Sequence, residues 1–258
     1  MRLVKRVRRW HSEDMKRGLW LRQALVVALA FGWAMAGSNG EEKSTIWAPG
    51  QPVTLTFGPF NKPIPVTVLV PKGYVREKPC PVILALPPGE GDPAMVESGL
   101  QSYWRKEAFE RGYIVVSPAI NGVSLLLNSL DFFPVLFRWM DQNLGYDKDR
   151  VALVGVSNGG LGVFFAALIF PERFGALVAI PGGYRGDPRH FRVLRNKPVW
   201  LLVGENDPQW VEQAKDTKEG LTAAGARVQL DILPGQGHGV TIDPKRLYDW
   251  IDANLRAK

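Results

Sequence analysis

The 258-residue chain reads as an α/β protein built on a mostly parallel sheet. Three observations carry this reading. Short β-like runs recur along the chain, separated by segments with helical spacing. The later runs, such as VILAL, VALVG and VWLLVG, are unbroken apolar stretches, which requires burial on both faces of the sheet. The first two runs flank a turn-rich stretch, GPFNKPIP, and this suits an antiparallel hairpin.

The elements follow in order. VTLTF (53–57) and VTVLV (66–70) form the hairpin. VILAL (82–86) is a buried strand, and PPGEGD after it is a stiff loop. Residues 93–111 carry helical spacing, and YIVVS (113–117) is the next strand. Residues 131–144 read as a helix with Pro134 in the first turn, where a missing N–H costs little. VALVG (151–155) precedes a helix over 161–170. ALVAI (176–180), VWLLVG (199–204) and RVQLDIL (227–233) complete about eight strands, with helices over 209–224 and 244–257. Helices on both faces follow from the double burial. The segment GGYRGDPRHFRVLRNKP is too short to build a large cap domain. Residues 37–258 are expected to form a single catalytic domain.

The net charge of +7 is concentrated at one end. Residues 1–36 hold eight of the 32 basic residues and two of the 25 acidic ones, which leaves the remaining chain at +1. A broad basic surface is therefore not expected, and nucleic acid is not an expected partner. The basic stretch leads into ALVVALAFGWAMA (24–36), whose length fits the apolar core of a signal peptide and is short for a membrane span. Ala34-Met35-Ala36 is a small-x-small cleavage pattern. Residues 1–36 are thus expected to be a signal peptide, with translation starting at Met1 or Met15. The alternative is an uncleaved N-terminal anchor. The expected location is secreted or periplasmic, with membrane contact only if the segment is retained. Cys80 is the one cysteine, so an internal disulfide is impossible; it reads as a small buried apolar residue.

Chemistry is expected at the carboxyl ends of the strands. Just past VALVG stands Gly155-Val156-Ser157-Asn158-Gly159, a G-x-S-x-G pentapeptide between a strand and a helix. A serine nucleophile has to stand proud of the sheet on a sharp turn, and glycines two residues away on each side relieve the crowding. Gly160 lets the following helix pack closely. The helix also directs free N–H groups and its positive dipole end at the serine region.

A serine hydroxyl needs a base. Downstream of residue 36 the chain has two histidines. His238, in the loop PGQGHGV after the last strand, is the expected base, whereas His190 lies in a charged loop and reads as a surface residue. The base needs an acid to orient it. Asp207, in VWLLVGENDPQW, is the expected partner, with Glu205 as the alternative. Three strand ends thus deliver Ser157, Asp207 and His238 in that order.

On these residues the chain resembles the α/β-hydrolase superfamily. DRVALVGVSNGGLGVFFAALIFPERFGALVAIPGG resembles the nucleophile segment of secreted polyhydroxybutyrate-depolymerase-like and feruloyl-esterase-like enzymes, and of the phospholipase/carboxylesterase group. LLVGENDPQW and GQGHGV resemble the acid and histidine loops of the same superfamily. The resemblance implies an α/β-hydrolase fold and a serine esterase that uses no cofactor or metal. It also implies an oxyanion hole after VILAL, where many members carry His-Gly. Here Pro87 and Pro88 stand in that place, and proline has no N–H to donate. The expected donors are the amides of Asn158 and Gly89, with Glu90 as the alternative to Gly89.

The substrate is expected to be a small-molecule or polymer ester. Leu125, Leu126, Leu127, Phe132 and Phe133 are candidates for an acyl pocket, with ordinary core packing as the other reading, and Trp104 and Trp210 are similarly open. Two histidines and one cysteine are too few for an ordinary zinc site. Two other functions remain open: a peptidase or thioesterase using the same triad, and a catalytically silent binding protein on the same fold.

Overall fold

A computed structural model describes residues 53–57 and 62–255. The expected signal or anchor segment, residues 1–36, lies outside the described residues. So does the hairpin turn at 58–61.

Eight strands form one sheet in the order β1-β2-β4-β3-β5-β6-β7-β8. Strands β1 (Val53–Phe57) and β2 (Lys62–Leu69) pair antiparallel, and β2 pairs antiparallel with β4 (Ile114–Pro118). From β4 onward every pairing is parallel, through β3 (Cys80–Leu86), β5 (Tyr146–Val156), β6 (Ala176–Ile180), β7 (Pro198–Gly204) and β8 (Arg227–Leu233). The helices are α1 (Pro93–Gly99), α2 (Arg105–Arg111), α3 (Leu125–Asn143), α4 (Asn158–Ile169), α5 (Pro208–Ala223) and α6 (Pro244–Asn254). A π turn over Leu100–Trp104 joins α1 to α2.

Alternation along each strand divides the core in two. Leu84, Val116, Leu153, Leu177 and Leu201 face one side with Phe133, Phe137 and Phe164 from α3 and α4. Ile83, Val115, Val154, Val178 and Leu202 face the other side with Trp104, Tyr248 and Ile251. Both sets are almost fully excluded from water. The apolar strand runs and the two-faced helix cover expected from the sequence are therefore present. Arg111 joins α2 to α6 through ion pairs to Asp249 and Asp252, and it also pairs with Glu107. Connecting β6 to β7 there is a loop with one 3-10 turn (Pro188–Leu194), and no large cap domain is present among the described residues.

Two elements depart from the sequence expectation. Helix α3 starts at Leu125, not at 131, with Ser124 as its N-cap. Pro134 therefore lies inside the helix, and the carbonyl it cannot serve belongs to Leu130, which is exposed to water. The extra turns were hidden because Leu126, Leu127 and Leu130 point outward, against the helical hydrophobic pattern. Strand β5 starts at Tyr146, inside the polar stretch YDKDR, because Tyr146 pairs with Cys80 beyond an irregularity in the β3–β5 register.

The apolar segment considered for an acyl pocket divides in the same way. Phe132 and Phe133 are core residues, stacked edge-on with ring centroids 5.1 Å apart. Leu125 is buried against Gly162 of α4. Leu127 is 79% exposed. Cys80 is partly buried, and burial pushes its thiol up from its ordinary value while Arg150 opposes the shift. Its thiol therefore stays protonated and unreactive near neutral pH. Phe133→Ala is expected to destabilise the fold by about 3–5 kcal/mol in urea denaturation. Leu127→Ala is expected to change it by less than about 0.5 kcal/mol.

Candidate active site

The turn between β5 and α4 holds Ser157 at φ 54° and ψ −114°. This positive φ is costly for a side-chain-bearing residue. The turn is held by the Ser157 amide, which donates to the carbonyls of Ile180 (3.0 Å) and Pro181 (3.1 Å) at the end of β6. The pentapeptide glycines are required by close approach. A Cβ on Gly155 would lie 2.2 Å from the Gly159 carbonyl oxygen, and one on Gly159 would lie 2.3 Å from that of Leu86; beyond the pentapeptide, one on Gly160 would lie 2.1 Å from that of Pro181. The last contact refines the sequence reading: Gly160 admits the loop after β6.

Ser157 Oγ lies 2.8 Å from His238 Nε2, and His238 Nδ1 lies 2.6 Å from Asp207 Oδ2. With its proton on Nδ1, a neutral imidazole donates to Asp207 and accepts from the serine hydroxyl. Asp207 is the N-cap of α5, yet its side chain makes no cap hydrogen bond. The carboxylate that would ordinarily cap the helix is turned to His238 instead. Glu205, the alternative acid, accepts from the Gly235 amide at 3.0 Å and ties the acid loop to the histidine loop. His190 is exposed and hydrogen-bonded through Nδ1 to the Tyr184 hydroxyl, 2.6 Å away.

Asn158 and Gly89 also come together. The Asn158 side-chain amide donates to the Gly89 carbonyl at 2.9 Å. Among the described residues, neither backbone amide has a protein acceptor. In the Pro87-Pro88-Gly89 loop the Pro88 carbonyl accepts from Gly91 at 3.0 Å, which closes a tight turn.

Three supporting residues had no clear signal in the sequence. Gln236 spans the histidine loop: its Nε2 donates to the Thr241 carbonyl at 3.0 Å, and its Oε1 accepts from the Thr241 amide at 2.6 Å. The Tyr103 hydroxyl, on the π turn, donates to the Val240 carbonyl. Burial pushes the Tyr103 phenol up from its ordinary value, so it remains a donor. The Trp210 ring lies against His238 with centroids 5.3 Å apart. Of the two tryptophans left open by the sequence, Trp104 is core and Trp210 flanks the site. The site opens into a cavity of about 680 Å³ beside Ser157 and His238.

Residues 128–257 match the model of the dienelactone hydrolase family, half of the chain, and the chain belongs to that family. The superfamily resemblance read from the sequence therefore stands, and the matched region contains Ser157, Asp207 and His238. No curated protein matches the chain. Solved structures share its fold. A thermostable esterase is 21% identical over 78% of this chain and 62% of its own, with a TM-score of 0.62. Esterase 2 of Thermogutta terrifontis, phosphonylated by cyclosarin, is 15% identical over 80% of this chain and 92% of its own, with a TM-score of 0.58. An acylaminoacyl peptidase of Pyrococcus horikoshii is 16% identical over 80% of this chain and 42% of its own, with a TM-score of 0.61. The chain thus spans less than two thirds of the length of the first and third of these structures.

Gln236→Ala removes both hydrogen bonds that hold the histidine loop closed. For a serine esterase that uses His238, displacing the loop in this way is expected to lower turnover of an aryl acetate by about 10- to 100-fold. Far-ultraviolet circular dichroism should be unchanged.

Proposed function

We propose that this protein is an exported serine hydrolase that cleaves carboxylic esters through an acyl-enzyme. The observation that carries the reading is the continuous hydrogen-bonded chain from Ser157 through His238 to Asp207. Membership in a hydrolase family and the esterases among the structural neighbours support it. Export rests on the basic stretch and ALVVALAFGWAMA at the N-terminus.

In this mechanism Ser157 Oγ attacks the ester carbonyl carbon as its proton passes to His238 Nε2. Asp207 stabilises the imidazolium and fixes its orientation. The carbonyl oxygen becomes an oxyanion and receives the amides of Asn158 and Gly89. Collapse breaks the bond to the alcohol oxygen, which leaves with the proton from Nε2. Water then attacks the acyl-enzyme, again losing a proton to His238, and the carboxylic acid departs as Ser157 regains its hydrogen. The two prolines do not deprive the hole of a donor on this reading, because Gly89 provides the amide just beyond them. Losing one such donor would cost about 2.7–4 kcal/mol of transition-state stabilisation.

The test is intact-mass spectrometry before and after treatment with a fluorophosphonate, the adduct being mapped to a peptide. A single adduct on Ser157 is expected, and none in Ser157→Ala. Ester hydrolysis in Ser157→Ala should fall on the order of 10⁶-fold, and in Asp207→Asn about 10⁴-fold. Parental rates in Ser157→Ala would overturn the assignment. The peptidase among the neighbours favours a second reading, in which the same triad cleaves amides. Turnover of peptide amides exceeding that of short aryl esters would select it.

A further inference from the structure

The cavity beside Ser157 has an unusual lining. It is lined by residues 238–242 of the histidine loop, by Ser98, Gly99, Ser102 and Tyr103 of the helical run, and by Val156 next to the serine. The lining holds no Asp, Glu, Lys or Arg. Besides Ser157 and Tyr103, three hydroxyls line the space, those of Ser98, Ser102 and Thr241. Among the described residues, none of the three has a protein hydrogen-bond partner. The Tyr103 hydroxyl is already given to the Val240 carbonyl.

The cation on the helical run is also committed. Glu97 and Arg105 are paired with each other there, so Arg105 is not free to receive an anion.

The chemistry of the triad fixes which part of an ester enters this space. The base must return its proton to the leaving oxygen, so that oxygen sits within hydrogen-bond reach of His238 Nε2. Ser157 and His238 both line the cavity, so a group carried on that oxygen has this space beside it.

Resting on the esterase reading, we propose that this cavity is the leaving-group subsite and that it selects small, uncharged, hydroxylated alcohols. Ser98, Ser102 and Thr241 are its specificity residues. Their free hydroxyls donate to and accept from the alcohol's remaining hydroxyls, while Val156, Val240 and Ile242 contact its carbon chain. All three residues are exposed, so an alkyl alcohol of the same length leaves their hydroxyls to water and gains no bond from them, and an anionic one gains no cation.

The experiment compares acetate esters of glycerol, n-propanol and 3-hydroxypropanoate on the full-length protein. Each kcat/KM is normalised to the alkaline hydrolysis rate of that ester. The glyceryl ester should exceed the propyl ester by about tenfold, the scale of one net hydrogen bond in a partly solvated site, and the anionic ester should be the poorest. Ser98→Ala/Ser102→Ala/Thr241→Val should bring the glyceryl-to-propyl ratio to about one, chiefly through KM, with circular dichroism confirming the fold. Ser102→Thr, which keeps a hydroxyl, should retain the preference. A parental ratio of one or less, or a ratio unchanged in the triple variant, overturns the substrate class while leaving the esterase intact. Failure to hydrolyse any ester, with no fluorophosphonate adduct on Ser157, removes both.

Discussion

The site depends on two hydrogen bonds from one amide. Ser157 sits in backbone that its own side chain disfavours, and its N–H is held by the carbonyls of Ile180 and Pro181 at the end of the neighbouring strand. Strand β5 is central in the sheet and β6 is its parallel neighbour, so the acceptors are themselves fixed by five paired residues of register. The cost of the turn is therefore carried by the sheet. A loop of similar sequence without β6 alongside would relax to ordinary backbone and withdraw the hydroxyl.

The other groups are located by the same parallel register. Strand β7 ends at Gly204 and β8 at Leu233, and their last residues are paired with each other. Asp207 and His238 follow these ends in adjacent loops, which are further joined by Glu205 to Gly235 and by the Asn206 amide to the Gln236 carbonyl. Asp207 and His238 thus share one braced unit, and Ser157 belongs to another. The imidazole bridges the two.

Much of this was legible in the sequence, for a physical reason. A strand buried on both faces must be apolar throughout, so VILAL, VALVG and VWLLVG declare themselves. The G-x-S-x-G glycines are dictated by backbone contacts of about 2 Å that no side chain permits, and the triad candidates follow from strand-end position. What stayed hidden lacks such a constraint. The first turns of α3 carry outward leucines, so helical periodicity could not locate them. Gln236 acts through both ends of one side chain across five residues, and a glutamine in a glycine-rich loop has no pattern that announces it. Phe132 and Phe133 were as consistent with a pocket as with the core, because hydrophobicity alone does not say which void a ring fills. The π turn also has no sequence signature: its residues, LQSYW, would suit an ordinary helix.

That π turn makes one residue of the helical run a local insertion. It places one residue more in its turn than regular helical winding would. The wide turn absorbs that residue, so the helix beyond it keeps the phase of the helix before it. Deleting one residue from regular helix would rotate everything beyond by about 100°. Deleting one from the π turn would instead narrow it to a regular turn and leave Arg111 facing Asp249 and Asp252. The side chains that shift are those within the turn, Tyr103 with its bond to the Val240 carbonyl among them. The cavity wall can therefore change in length without disturbing the anchorage to α6.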